Sequence, residues 1–163
     1  MSLAQIQFST PFGPMFAVAS ENGLRSLYSF EKEIPAPNAG SAQAKILSQL
    51  VDQMEQYFSG NLTQFEVPLD PVGTEFQKKV WRQLSLIPYG QTISYLQLAK
   101  NIGNLKASRA VGSANGKNPL WVVVPCHRVI TSSGALGGYA GGLHMKSFLL
   151  DLENASLSKN AKF

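Results

Sequence analysis

Asn118-Pro-Leu-Trp-Val-Val-Val-Pro-Cys-His-Arg-Val-Ile130 divides the second half of this 163-residue chain, with helical patterns before it and a glycine-rich loop and one last helix after it. Residues 120–124 are apolar and β-branched, the composition of a buried strand. Pro125 has no N–H to give to a ladder, so pairing is expected to stop there and leave Cys126 on a tight turn at the strand's end. A nucleophile in that position is held by a rigid element while it faces a pocket. Cys126 is the one cysteine of the sequence. That excludes an intrachain disulfide and a thiolate-rich metal site within a single chain, and neither metal nor cofactor is expected.

A lone cysteine is ordinarily a small buried hydrophobe; the neighbours of Cys126 argue for more. A thiol with a pKa of ~8.5 is mostly protonated at neutral pH, whereas the thiolate is the reactive species. His127 can remove that proton, directly or through a water, and the imidazolium formed would stabilise the thiolate. Arg128 adds positive charge. A histidine used this way is usually oriented by a carboxylate, and residues 73–163 offer only Glu75, Asp151 and Glu153.

Downstream lies Ser132-Ser-Gly-Ala-Leu-Gly-Gly-Tyr-Ala-Gly-Gly142, with five glycines between positions 134 and 142. Such a loop lets backbone come close to a flat ligand, and Tyr139 is placed to pack on it or bond to it. It lacks the Gly-Lys-Ser/Thr ending of a phosphate-binding loop. A helix is expected from about Leu143, and Asp151 and Glu153 lie towards its end.

Upstream, Thr74 with Gln77 reads as a capping box, followed by the stripe Phe76, Val80, Leu84, Ile87 and the stop Pro88-Tyr-Gly90. Ser94 with Gln97 repeats the capping signal ahead of Leu96, Leu98, Ala99 and Ile102, with Gly103 ending the helix. Residues 106–115 carry Ala107, Ala110, Val111 and Ala114 on one side, with Ser108, Arg109, Gly112 and Ser113 elsewhere. Two short helices about a glycine turn, the second rich in small residues, fit a helix-turn-helix. They fit an ordinary three-helix core as well.

The first third of the chain alternates in short apolar runs. Residues 6–10, 15–20 and 24–30 read as strands, separated by turns at 11–14 and 21–23. Ile46, Leu47, Leu50, Val51, Met54, Tyr57 and Phe58 share one helical face, with Gly60 as the stop. Residues 63–67 are expected to return as a strand, which makes a βββαβ unit with no cluster of reactive side chains. Residues 68–73, with two prolines and a glycine, read as a linker. The expected organisation is a structural domain at 1-70 and a second domain at 74-155 that carries the helix pair and the cysteine.

Charge divides at the same place. Residues 1–72 hold three basic and seven acidic side chains, whereas residues 73–163 hold eleven basic and three acidic. A basic second half suits a polyanionic partner. No run approaches the ~20 apolar residues of a membrane span, so no membrane association is expected. The N-terminus shows no basic-then-apolar secretory pattern, and a cytoplasmic protein is expected.

The segment from Thr74 to Glu153 resembles the O6-alkylguanine-DNA alkyltransferases, the methylated-DNA–protein-cysteine methyltransferases. The resemblance is carried by Pro-Cys-His-Arg-Val at 125–129, by Ser94-Tyr95, Arg109-Ala-Val-Gly112 and Asn118-Pro119, and by Tyr139-Ala-Gly-Gly-Leu143 with Lys146 and Glu153. It implies an α+β fold: a small ribonuclease H-like N-terminal domain and a mainly helical C-terminal domain with a winged-helix-like helix-turn-helix. It also implies that Cys126 accepts an alkyl group from O6 of guanine in duplex DNA once and irreversibly, with O4 of thymine as a second candidate substrate. His127, a water and Glu153 would form the relay that generates the thiolate, with Asn118 bracing the turn. Tyr95 would assist nucleotide rotation and donate a hydrogen bond to the departing purine. Arg109, with Ala107, Ser108, Ala110 and Gly112 beside it, would lie in the minor groove and fill the space of the flipped nucleotide. Val129, Ser132, Tyr139, Ala140 and Lys146 would form the substrate pocket of a monomeric protein.

Many members of that family have serine where this chain has Ala140, which bears on which adducts the pocket tolerates. The N-terminal zinc site of some relatives has no cysteines here, and the related lesion-binding proteins that do not repair lack the acceptor cysteine. Two other readings remain at this point: a non-catalytic lesion-recognition or transcriptional helix-turn-helix module, and a Cys-His hydrolase.

Overall fold

The computed structural model describes residues 2–160, with side chains through residue 157. The chain divides between Val72 and Gly73 into two compact units.

The first unit is built on an antiparallel meander of β1 (Ala4–Thr10), β2 (Gly13–Ala19) and β3 (Leu24–Tyr28), in that spatial order. Phe8 lies across from Met15 and Ala4 from Ala19, so small and large apolar side chains meet on the covered face. Gly13, at φ +96°, supplies the left-handed turn of the first hairpin. Helix α1 (Ala42–Phe58) starts where the Ser41 hydroxyl accepts the Ala44 N–H at 3.1 Å. It packs on β1 and β2 through Ile46, Leu47, Leu50, Met54 and Tyr57. A buried leucine of this kind stabilises the unit by about 1.5–3 kcal/mol.

The strand expected at residues 63–67 does not form. Instead Gln49 and Gln53, one turn apart on α1, clasp the Glu66 peptide: Gln49 Nε2 donates to the Glu66 carbonyl (3.0 Å) and the Glu66 N–H donates to Gln53 Oε1 (2.8 Å). These side chains satisfy the polar groups a ladder would have taken. Pairing is confined to a single parallel bridge between Leu24 and Leu69. There the Leu24 N–H donates to the Pro68 carbonyl and the Asp70 N–H to the Leu24 carbonyl, both at 2.8 Å. A Cβ on Gly23 would lie 2.7 Å from the Pro68 carbonyl oxygen, so glycine permits this approach. Residues 68–70, read as the start of a linker, are therefore tied into the first unit.

The second unit is mainly helical. Helix α2 (Glu75–Leu84) carries both halves of the Thr74–Gln77 capping box. A two-residue strand, β4 (Ile93–Ser94), leads into α3 (Tyr95–Ile102), where Ser94 caps Gln97. The Gln97 side chain turns to Asn101 instead of completing a box. Gly103, at φ +89°, ends α3 in the left-handed conformation. A 3-10 turn at Leu105–Ala107 then opens α4 (Ser108–Gly116). Helix α2 packs against both α3 and α4, and Trp81 Nε1 donates to the Ala114 carbonyl at 2.9 Å. Strand β5 (Val129–Ile130) pairs in parallel with β4, and α5 (Leu143–Asn160) follows the glycine-rich loop. A sheet-and-helix unit followed by a helical one is the expected α+β class.

The buried strand expected at residues 120–124 is absent as well. Leu120, Val122 and Val124 are buried, but the segment is a compact turn: the Val124 N–H donates to the Leu120 carbonyl (2.9 Å) and Val123 to Trp121 (2.8 Å). Val122 is the non-glycine residue with positive φ (+73°) among those described, an unfavourable conformation for a β-branched side chain. Apolar composition reports burial correctly here but not the backbone path.

Candidate active site

The turn at residues 118–125 is held from inside by one side chain. Asn118 Nδ2 donates to the Val124 carbonyl at 2.8 Å, and Asn118 Oδ1 accepts the Leu120 N–H at 2.9 Å. This brace spans the strained Val122 and sets the start of the 3-10 turn Cys126–Arg128, whose three side chains are all buried. Such strain persists only where the surroundings over-determine the conformation.

His127 and Glu153 are both fully buried. Glu153, on α5, accepts from His127 Nε2 at 2.6 Å. A carboxylate so close keeps the imidazole proton on Nε2 and leaves Nδ1 with its lone pair. Nδ1 is buried and has no hydrogen-bond partner among the described residues. Of the three acids considered from sequence, Glu153 is the one brought to His127, whereas Glu75 and Asp151 are exposed.

Arg128 is placed differently from the expectation of a charge for the thiolate. Its Nε donates to Glu153 Oε1 (2.8 Å), Nη2 to Oε2 (3.1 Å) and Nη1 to the Ile87 carbonyl (2.7 Å). Oε1 also accepts the Gly90 N–H at 3.1 Å. Burial alone would raise the Glu153 carboxyl; the hydrogen bonds from His127 and Arg128 outweigh it and hold it at about 2. Burial lowers the pKa of His127, Glu153 opposes that, and Arg128 and Lys146 add to the lowering, so the imidazole rests neutral.

The cation nearest in effect to the thiol is Lys146, a fully buried residue of α5. Its Nζ donates to the carbonyls of Val129 (2.6 Å), Leu136 and Gly138 (3.1 Å). One ammonium thus ties β5 to both limbs of the glycine-rich loop. Tyr95, at the start of α3, donates to the same Gly138 carbonyl at 3.5 Å. A Cβ on Gly137, itself at φ +73°, would lie 3.1 Å from the Tyr95 ring, so this loop position favours glycine. The buried Tyr139 hydroxyl faces the thiol closely enough that each perturbs the other's ionisation.

Burial pushes the Cys126 thiol up to about 11, against smaller opposing effects from the Asn118 side chain, Lys146 and Tyr139. The resting sulfur is therefore a protonated thiol that needs a base. Burial, then Cys126, raises the pKa of Tyr95 and Tyr139. Both phenols stay protonated and able to donate.

Cys126, His127, Glu153, Asn118, Val129, Tyr95, Tyr139 and Lys146 thus form one linked cluster. Ser132 and Ala140 are exposed on the loop. On α4, Arg109 and Ala110 are exposed and Ser108 and Gly112 half-buried, as is Ala107 just before the helix. A Cβ on Gly112 would lie 4.0 Å from the Tyr95 ring, which puts this helix beside the cluster. Sequence reasoning missed the Arg128–Glu153 pair, and the only available signal was that a buried Cys-His turn had a second cation and few acids to balance it. His144 is exposed in the first turn of α5. Among the described residues, no group of three His, Cys, Asp or Glu side chains is set to hold a metal ion, and no helix is long and apolar enough to cross a membrane.

The fold and this site define a protein with one buried thiol and a neutral histidine base oriented by a carboxylate. Family models match both units: "6-O-methylguanine DNA methyltransferase, ribonuclease-like domain" over residues 6–71 and "DNA binding domain" of the same family over residues 75–155. The methylated-DNA–protein-cysteine methyltransferase of Methanosarcina acetivorans is 48% identical over 150 residues, 91% of this chain and 96% of that protein. The Mycobacterium tuberculosis protein of the same name is 45% identical over 147 residues, 90% of this chain and 89% of its own length. The crystal structure of Mycobacterium tuberculosis OGT in complex with DNA matches with a TM-score of 0.83 at 43% identity, covering 94% of each chain. This chain belongs to the 6-O-methylguanine DNA methyltransferase family.

Proposed function

We propose that this protein repairs alkylated DNA by moving a methyl or other alkyl group from O6 of guanine onto Cys126, with O4-alkylthymine as the second substrate to test. Support comes above all from one observation: a buried cysteine follows a braced turn and precedes a histidine whose free ring nitrogen has no other partner. His127 Nδ1 takes the thiol proton, directly or through a water, while Glu153 holds the imidazolium that forms. The thiolate attacks the alkyl carbon, the carbon–O6 bond breaks, and guanine leaves with its negative charge. Tyr95, protonated and beside the loop, donates to the departing purine. The product is a thioether that no neighbouring group can cleave, so each molecule acts once.

A guanine O6 within the duplex offers no in-line path to a protein sulfur, so the nucleotide must be extruded at a cost of a few kcal/mol. Helices α3 and α4 act as a helix-turn-helix, with α4 in the minor groove. Ala107, just before it, and its own small Ala110 and Gly112 allow close approach, and Ser108 lies among them. Arg109 enters the stack and offsets the lost base contacts. Val129, Ser132, Tyr139, Ala140 and Lys146 form the pocket around the flipped base, with Lys146 acting through the loop carbonyls. The protein works as a monomer in the cytoplasm.

The test is intact-mass analysis after incubation with an O6-methylguanine duplex, followed by peptide mapping. The expected result is a gain of one methyl in place of a hydrogen, located on Cys126. No gain, with binding retained, would favour a lesion-recognition module that does not repair. Turnover of an ester or peptide without alkyl transfer would favour a hydrolase.

A further inference from the structure

We propose that Arg128 is a positioning residue that sets the proton affinity of His127, by holding Glu153 in a buried ion pair so that the carboxylate orients the imidazole without making it cationic. The proposal rests on the alkyl-transfer reading above and adds to it what keeps the base neutral until the thiol needs it.

Glu153 has two demands on it. It must accept the Nε2–H of His127 to fix the tautomer, at 2.6 Å. A buried carboxylate at that distance with no other counter-charge would instead draw a second proton onto the ring, since opposite charges in the interior attract strongly. An imidazolium already formed cannot take the proton of Cys126. Arg128 resolves the conflict. Its guanidinium binds both carboxylate oxygens side-on, Nε to Oε1 and Nη2 to Oε2, in the forked geometry that gives the strongest pairing. Both partners are essentially out of solvent, at 8% and 1% side-chain exposure.

The third arm of the fork fixes where the pair sits. Nη1 donates to the Ile87 carbonyl, while Glu153 Oε1 accepts the Gly90 N–H. The ion pair is therefore clamped on both sides by the turn that follows α2. Lysine would supply the charge and three donors from a single nitrogen, but not a planar fork that reaches both carboxylate oxygens and the Ile87 carbonyl from three separate nitrogens.

The ionisable groups facing His127 are Glu153 and Lys146 of α5 and Cys126 and Arg128 of its own turn; Tyr89 lies against Arg128, and Tyr139 against Cys126. Lys146 already spends its three donors on backbone carbonyls. Arg128, by contrast, binds the Glu153 carboxylate directly.

The test uses the full chain and two readouts. One is the NMR titration of His127, assigned against His144→Gln because the sequence has two histidines. The other is the pH profile of single-turnover transfer from an O6-methylguanine duplex. Arg128→Met is expected to raise the His127 titration by about 1–3 pH units. The acid limb of the transfer profile should move up with it, with a loss of about tenfold per unit below the new limb. Arg128→Lys should leave the titration near that of the parent while slowing transfer through lost orientation. A purely structural role would lower rates without moving the limb. His127 of Arg128→Met titrating within a few tenths of a unit of the parent overturns the proposal. If that variant does not fold, Arg128→Met with Glu153→Gln removes both charges, and His127 should then titrate at or below the parent value; a higher value overturns the proposal. Absence of transfer by the parent protein would end the alkyl-transfer reading alone, because the NMR titration still decides the part assigned to Arg128.

Discussion

The two units of this molecule solve the problem of buried polar groups in opposite ways. In the first, covered positions on a regular meander and helix are mostly apolar, the buried polar side chains Gln5, Ser20, Ser26 and Gln43 are neutral, and the charged Arg25–Asp70 pair keeps 19% and 28% of its side-chain surface in solvent. In the second, His127, Arg128, Lys146 and Glu153 are all buried, around the 3-10 turn Cys126–Arg128. Burying charge is expensive unless every partner is present. The second unit meets that condition with neighbouring backbone carbonyls, one carboxylate and one amide side chain. The contrast teaches that regular structure carries the first unit, while a satisfied polar network carries the irregular part of the second. In the proposed reaction, that network is also what activates the thiol.

The largest expected effect breaks the contrast at its centre. Glu153→Ala leaves Arg128 buried without its counter-charge and should destabilise the second unit by about 3–5 kcal/mol. Asp70→Ala, at the half-open pair of the first unit, also removes the acceptor of the buried Ser20 hydroxyl and should cost about 1–2 kcal/mol. Denaturant unfolding of both variants checks the difference, and equal losses would erase it. Asn118→Ala comes next. It strips partners from the Val124 carbonyl and the Leu120 N–H, each buried group costing about 1–3 kcal/mol. Transfer to Cys126 should fall with it, read from single-turnover rates.

Acid sharpens the same comparison. The Glu153 carboxyl lies at about 2, against an ordinary value of 4.5. A depressed carboxyl contributes stability that is fully present above its unfolded value and is lost as pH falls through the folded one. Stability of the second unit should therefore decline between about 4.5 and 2, followed by heat denaturation across that range. Gln53→Ala should have the smallest effect, since the Glu66 peptide it clasps is exposed and water can replace it; about 0.5–1 kcal/mol is expected.

Much of the fold is legible in local sequence. Thr74 with Gln77 forms its box, Ser94 caps α3 and Gly103 stops it, because each of these signals acts within one turn of chain. Two segments are not legible. Residues 63–67 have strand composition, but Gln49 and Gln53 from α1 take up the Glu66 peptide. Residues 120–124 have the apolar content of a strand, yet Asn118 ties them into a turn. In both, an amide side chain outcompetes a ladder, and periodicity of apolar residues carries no record of that. At the site, Cys126 and His127 stand out as neighbours, and the shortage of acids narrows the carboxylate to Glu75, Asp151 and Glu153, among which the family resemblance points to Glu153. The role of Arg128 does not emerge, because its partner lies 25 positions away.

The sequence by itself singles out the proposed nucleophile and the adjacent proposed base, together with the helix boundaries and the glycine-rich loop, since these depend on residue type and short spacing. Only the tertiary structure decides the protonation of that centre: a thiol at about 11, a neutral histidine with its free nitrogen on Nδ1, and a carboxylate held ionised by Arg128. Proton affinities follow from burial and from partners met through space, and those exist only once the chain has folded.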